Sequence, residues 1–495
     1  MKRRAAILFV LGFVLIGGDC DDDDDIFFIA APPPPPPFDL DVDGFADLVY
    51  GAPGHDGLGA AGSERGAVFV HFGSASGPSL APDLSIFGAE DGARFGASVA
   101  FAGDVNGRGA PDLLVGAPGD DADGNATEDG ADRGRAFLYF GGPAMDAVAD
   151  LVFSGAEDGA RFGQSVARVG DTNRDGFTDL VIGAPGDDGD DTPTEDGIDR
   201  GRAFFYYGFF NPDAFADVAF TGTEDGAQLG FSVSSAGDVN AGGAVDIAVG
   251  APFDDGDDTP TDDGGDRGRA FVFYGGSLLD ATPDLVFTGD EDDARLGAAL
   301  SDLSDVNADG VHDLLVGAPL HDAGGGAGAD RGEAYVFFGA PGTPDTVADL
   351  TLSGATDGGA FGSALSRGRD VDGDGGRDFL VGAPLEDPGG RVDAGSAYWF
   401  RGGAVLDDVF DLALDGEEAG ARFGAAVAIP GDLDGDGRDL VVGAPLDDAD
   451  GDATDDGFER GTAILFSGGA LLDALPEDFF DGDHDDAEAG SALAD

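Results

Sequence analysis

The sequence predicts an all-β chain, a seven-bladed β-propeller of four-stranded blades, closed by pairing the C-terminal strand into the N-terminal blade. Three observations predict it. Gly-Ala-Pro recurs seven times, at Gly51, Gly116, Gly183, Gly250, Gly317, Gly382 and Gly443. The spacings run from 61 to 67 residues, a period that marks a propeller or array when its units are strand-rich. Each unit also holds four short apolar segments bounded by Gly, Asp or Pro. In the second unit they are residues 95–101, 112–116, 135–140 and 150–153. Runs this short, rich in Val, Phe, Leu and Tyr, are strands, and no stretch keeps a helical period.

The chain begins as an export signal begins. Lys2, Arg3 and Arg4 precede an apolar run from Ala5 to Ile16, then Gly17 and Gly18. That run is too short to span a bilayer but suits a signal peptide, assigned to residues 1–19. Cys20, the only cysteine, follows directly. Its placement resembles a bacterial lipoprotein signal, although Gly17 and Asp19 depart from the usual residues. An ordinary secretory signal is the alternative. Residues 20–38 read as a linker. Asp21–Asp25 repel one another and stay solvated, and Pro32–Pro37 form a stiff polyproline spacer of about 19 Å. The apolar residues 26–31 fit either a strand or a longer signal.

Residues 39–495 carry the repeats. A Phe-Gly or its variant opens strand one at Phe95, Phe162, Leu229, Leu296, Phe361 and Phe423. The first unit has prolines there instead. Residues 485–495 (DDAEAGSALAD) resemble 90–100 (EDGARFGASVA), so the C-terminus is expected to supply the missing strand. Such a splice ties the ring shut without a disulfide and leaves no long edge. Ala489 replaces the aromatic and is the weak point.

Phe-Gly on strand one, Gly-Ala-Pro at the end of strand two and an acidic loop between them resemble the FG-GAP repeat. The chain is similar to the propeller of integrin α chains and of related bacterial surface proteins. The resemblance implies calcium in the loops between strands one and two, and a role in adhesion or protein binding.

Those loops follow D-x-[DN]-x-D-G-x-x-D. The four clean copies are Asp39, Asp41, Asp43, Asp47; Asp171, Asn173, Asp175, Asp179; Asp305, Asn307, Asp309, Asp313; and Asp370, Asp372, Asp374, Asp378. Positions one, three and five converge because the glycine at six turns the chain back. Hard oxygen ligands without sulfur or imidazole suit Ca²⁺. Position twelve is Tyr50, Ile182, Val316 or Val381, so these are not EF-hands. A fifth copy, Asp432, Asp434, Asp436 and Asp439, is one residue short. Two are damaged: Arg108 stands at position five after Asp104 and Asn106, and Gly242 after Asp238 and Asn240. Any single copy could be no more than an Asx-rich turn.

A second acidic set follows Gly-Ala-Pro, on the opposite face. It includes Asp120, Asp121, Asp123, Glu128, Asp129, Asp132, Asp187, Asp188, Asp190, Asp191, Glu195, Asp196 and Asp199, with comparable loops at 254–266 and 447–459. Solvated loops, partner contacts and weaker cation binding are the open readings. Arg65, Arg133, Arg200, Arg267, Arg331 and Arg460 recur just before a Gly and are expected to pair with nearby carboxylates.

A net charge of −74 repels phosphate backbones and excludes nucleic acid as a partner. The acid excess fits halophily or a GC-rich genome equally well. The histidines His55, His71, His312, His321 and His484 form no ligand spacing, and no nucleophile elbow is present. The expectation is therefore a non-enzymatic, exported, monomeric module. Its partner is a surface protein or glycan, and the membrane is met only through a lipid on Cys20. The rivals are a purely structural envelope protein and an enzyme with a site in the propeller channel.

Overall fold

A computed structural model describes residues 38–495, apart from 58, 60–61, 122–131, 190–198, 257–264, 278, 325–327, 405, 436, 449–459, 469–471, 473, 483–485 and 495; ahead of these it describes 9–10, 13–15 and 28–30. Cys20, the acidic run 21–25, the prolines 32–37, Asp436 and His484 therefore lie outside the described residues. So do Asp123, Glu128, Asp129, Asp190, Asp191, Glu195 and Asp196.

Two compact units are present, Met1–Pro35 and Pro36–Asp495. In the first, Phe13–Leu15 pairs antiparallel with both Phe9–Val10 and Phe28–Ala30. The second is a β-propeller of seven four-stranded blades. Blade 1 joins Ala492–Leu493 to Leu48–Ala52, Ala67–His71 and Leu84–Phe87. The predicted splice is thus present: Ala492 pairs with Gly51 and Leu493 with Tyr50, antiparallel. Blades 2 to 7 are antiparallel meanders opening at Ser98, Ser165, Ser232, Ala299, Ala364 and Ala426. Ala489 is fully buried despite its small size.

The repeat motif is the seam between blades. The Gly-Ala-Pro glycine of each blade lies against the carbonyl of the next blade's Phe-Gly glycine. A Cβ built on Gly51 would stand 1.9 Å from the Gly96 oxygen, and one on Gly250 2.1 Å from the Gly297 oxygen. No side chain fits there, so the motif needs glycine for close approach. Within each blade, the Phe-Gly amide donates to the Gly-Ala-Pro glycine carbonyl, as Gly96 N–H does to Gly116 at 2.9 Å.

Burial follows from this stacking. Strand two, Asp112–Ala117 in blade 2, is buried along its whole length, whereas strand four, Leu151–Ser154, buries only Phe153. The core is divided into clusters that straddle neighbouring blades. One joins Leu138 and Phe153 of blade 2 to Ile182 and Tyr206 of blade 3. Another joins Trp399 and Leu414 of blade 6 to Ile464 and Phe466 of blade 7. Phe38, assigned by composition to the linker, is instead a core residue of the propeller.

Candidate metal centres

In blades 2, 3, 4, 5 and 7 the hairpin between strands one and two is prepared by a β-bulge. In blade 2 the register shifts between Phe101 and Gly103, in blade 3 between Arg168 and Gly170. The bulge re-aims the chain so that the following Asp opens the loop. That Asp then caps the turn. Asp39 accepts the Asp43 amide at 2.9 Å and the Gly44 amide at 2.8 Å. Asp171 does the same for Asp175 and Gly176, and Asp305 for Asp309 and Gly310.

In blade 1 the turn brings carboxylate oxygens of Asp39, Asp41 and Asp43 within 4.8 Å of one another, and in blade 6 those of Asp370, Asp372 and Asp374. Burial and the neighbouring Asp43 push Asp41 up to about 6. In blade 6, Arg401 Nη2 lies 2.6 Å from Asp372 Oδ2, so a guanidinium stands beside those carboxylates. In blades 3 and 5 the middle ligand is an amide. Asn173 donates to Asp175 at 3.0 Å and Asn307 to Asp309 at 3.1 Å. In blade 7, Asp432 accepts the Gly435 amide at 2.5 Å.

The ninth-position carboxylates have a further role. Asp47 is fully buried; its Oδ2 accepts the Leu40 amide at 2.6 Å and its Oδ1 the Gly73 amide at 3.0 Å. The same clamp recurs at Asp179, Asp313, Asp378 and Asp439, fastening the hairpin to the end of strand three. In Asp47 each oxygen accepts one of these amides and keeps a second lone pair for an ion. Burial raises Asp47 to about 8, against the pull of these two amides. The damaged loops retain the clamp. In blade 2, Asp112 takes the Val105 and Gly141 amides, and Asn106 Nδ2 also donates to both its oxygens at 2.9 Å. Arg108 turns away onto the Phe140 ring at 4.9 Å.

On the opposite face the loops after Gly-Ala-Pro are not simply solvated. Asp120, Asp121, Asp187, Asp188, Asp254, Asp255 and Asp448 are buried. Each pair meets a buried glutamate that precedes strand one. Ligand oxygens of Glu157, Asp187 and Asp188 lie within 4.8 Å of one another, as do those of Glu224, Asp254 and Asp255, and of Glu418, Asp447 and Asp448. Burial is the main cause that drives Glu90 up to about 7 and Glu157, Glu224 and Glu418 up to about 8; the adjoining aspartates add to it. Sequence reasoning missed these glutamates. Their signal was present: a Glu stands five residues before the Phe-Gly position at 90, 157, 224, 291 and 418.

Blades differ in what faces this cluster. Arg135, Arg202 and Arg269 open strand three of blades 2, 3 and 4 and lie 3.0, 3.1 and 3.1 Å from Asp120, Asp187 and Asp254. In blade 5, His321 replaces the first Asp and lies 2.9 Å from Glu291. In blade 6, Tyr398 donates to Glu386. In blade 7, Thr462 takes the arginine's place and donates to Asp447 at 3.3 Å. The arginines before Gly pair as expected: Arg65, Arg133, Arg200, Arg267 and Arg331 reach Asp91, Asp158, Asp225, Asp292 and Asp357 at 2.6–2.7 Å.

An FG-GAP repeat model matches residues 162–198 and 361–398. The chain carries FG-GAP repeats. It is 34% identical over 230 residues to integrin alpha-5 of Xenopus laevis, which covers 46% of this chain and 20% of that one. It is 32% identical over 341 residues to phosphatidylinositol-glycan-specific phospholipase D of Bos taurus, covering 63% of this chain and 38% of the enzyme. Integrin alpha-IIb of Homo sapiens is 38% identical over 156 residues, covering 29% and 14%. The chain thus spans well under half the length of the curated relatives it matches. No helix among the described residues is long and apolar enough to cross a membrane.

Proposed function

We propose that this protein is an exported, calcium-binding FG-GAP propeller that serves as a cell-surface adhesion or protein-binding module. The observation that best supports this is the recurrence of one acidic hairpin at one phase of the ring, with three carboxylates within 4.8 Å in blades 1 and 6. Asp39, Asp41, Asp43 and Asp47 would hold one ion; the loops from Asp171, Asp305, Asp370 and Asp432 would hold others. Hard carboxylate and amide oxygens match Ca²⁺. The similarity to integrin α chains favours a protein ligand over catalysis. Residues 1–19 would direct export and 20–37 would space the propeller from its anchor. With −74 charges, the partner surface is not a nucleic acid.

Calcium should stabilise the fold strongly, by about 4 kcal/mol per site when free ion is a thousandfold above its dissociation constant. Thermal melts in excess calcium and in chelator check this, and coincident curves would refute calcium binding. Pull-down from native surface components, with and without calcium, tests adhesion. A calcium-dependent partner is the expected outcome. Retention of nothing would favour a structural envelope role, and turnover of a phosphodiester would favour the enzyme reading.

A further inference from the structure

We propose that blade 7 carries a second, separate divalent-cation site on the face opposite the hairpins, built from Glu418, Asp447 and Asp448. Glu418 and Asp448 are each 3% exposed. Ligand oxygens of all three residues lie within 4.8 Å of one another. Two oxygens bound to one calcium at about 2.4 Å can be at most about 4.8 Å apart, so this spacing is what one ion spans.

A second observation is independent of that clustering. Glu418 Oε2 accepts the Asp448 amide at 3.3 Å, while Oε1 is buried with no hydrogen-bond partner among the described residues. A buried carboxylate oxygen without a partner is costly, and an ion supplies the missing contact. In blades 2 to 4 a guanidinium from the first residue of strand three sets a positive charge against the first Asp of the cluster, while Glu90 Oε2 and Glu224 Oε2 remain without a hydrogen-bond partner among the described residues. Blade 7 has Thr462 at that position, whose hydroxyl carries no charge. The cluster also opens to solvent. Glu418 and Asp447 line a cavity of about 420 Å³ walled by Phe423, Ile464 and Phe479. An ion can enter there and keep water ligands on the cavity side. An all-carboxylate donor set selects a hard cation of calcium type over zinc or copper.

This site does not rest on the hairpin reading, and ion counting separates the two. Equilibrium dialysis of the full chain against radioactive calcium should show one bound ion fewer in Glu418→Gln/Asp448→Asn than in the unsubstituted protein. Asp39→Asn/Asp41→Asn should lose its own ion and leave this one in place. An unchanged count in Glu418→Gln/Asp448→Asn overturns the proposal. In chelator that variant should melt no lower than the parent, because amides relieve the crowding of charge. If it fails to fold, crystals of the unsubstituted protein soaked in a lanthanide decide the matter. An anomalous peak about 2.4 Å from the three carboxylates is expected; peaks at the hairpins alone overturn it.

Discussion

The seam that closes the ring and the seam between blades 3 and 4 share a backbone and differ in side chains. In both, a Gly-Ala-Pro glycine abuts a Phe-Gly carbonyl: a Cβ on Gly443 would lie 2.0 Å from the Gly490 oxygen, and one on Gly183 1.9 Å from the Gly230 oxygen. In both, a parallel bridge crosses the seam, Gly461 with Ala489 and Gly201 with Leu229. The filling is thinner at the closure. Strand one is Ala492–Leu493 there, against Ser232–Gly237 in blade 4. Phe480 meets His71 edge-on at 4.8 Å, where Phe220 stacks on Phe273 at 4.0 Å. Backbone register is therefore kept where side-chain volume is lost. The closing seam is therefore expected to open before the others.

The most severe way to test this contrast is to delete residues 485–495. Blade 1 loses its first strand, and strand two, otherwise buried throughout, becomes an open edge. The cooperative denaturant transition should be lost, and proteolysis should begin within 38–87. An unchanged midpoint would show that the closure contributes nothing. At the other seam, Phe220→Ala removes a fully buried ring and should cost about 3–5 kcal/mol in urea unfolding; a change below about 1 kcal/mol would erase the difference between the seams.

His71 gives a pH dependence confined to the closure. Burial lowers its pKa below the ordinary 6.5, only partly countered by its Nδ1–H donating to the Ser79 carbonyl at 2.6 Å. The fold thus prefers the neutral ring. Its contribution is complete above pH 6.5 and is lost as pH falls from there through the folded value. Melts below pH 6.5 should show this loss, and His71→Phe should flatten it; an identical slope in that variant would assign the effect elsewhere. The smallest effect belongs to the pair of Glu488 with Arg94, 3.3 Å apart and partly exposed. Glu488→Gln should change stability by less than about 1 kcal/mol, and salt should abolish even that.

Much of this was legible in the sequence. Gly-Ala-Pro and Phe-Gly mark the places where two backbones touch, and no other residue fits there. Strand order and the C-terminal splice follow from that phase. The hairpin carboxylates were legible because their ligands are neighbours in the chain. The buried glutamates were not. Glu157 is about thirty residues from Asp187 and Asp188, and only packing joins them. The clamp was also overlooked, although Asp112 and Asp246 persist in the two loops whose other ligands are damaged. An acid kept where its fellow ligands have gone signals a second duty, here the capture of backbone amides.

Phe38 sets how the molecule bears load. Its ring lies 4.9 Å from that of Phe101, and the guanidiniums of Arg369 and Arg168 lie 4.1 and 5.8 Å from its centre. Those partners belong to blades 2, 6 and 3, so Phe38 is held by three blades at once. A load applied at that residue would be shared among several wedges, and no outer strand would be peeled away by itself.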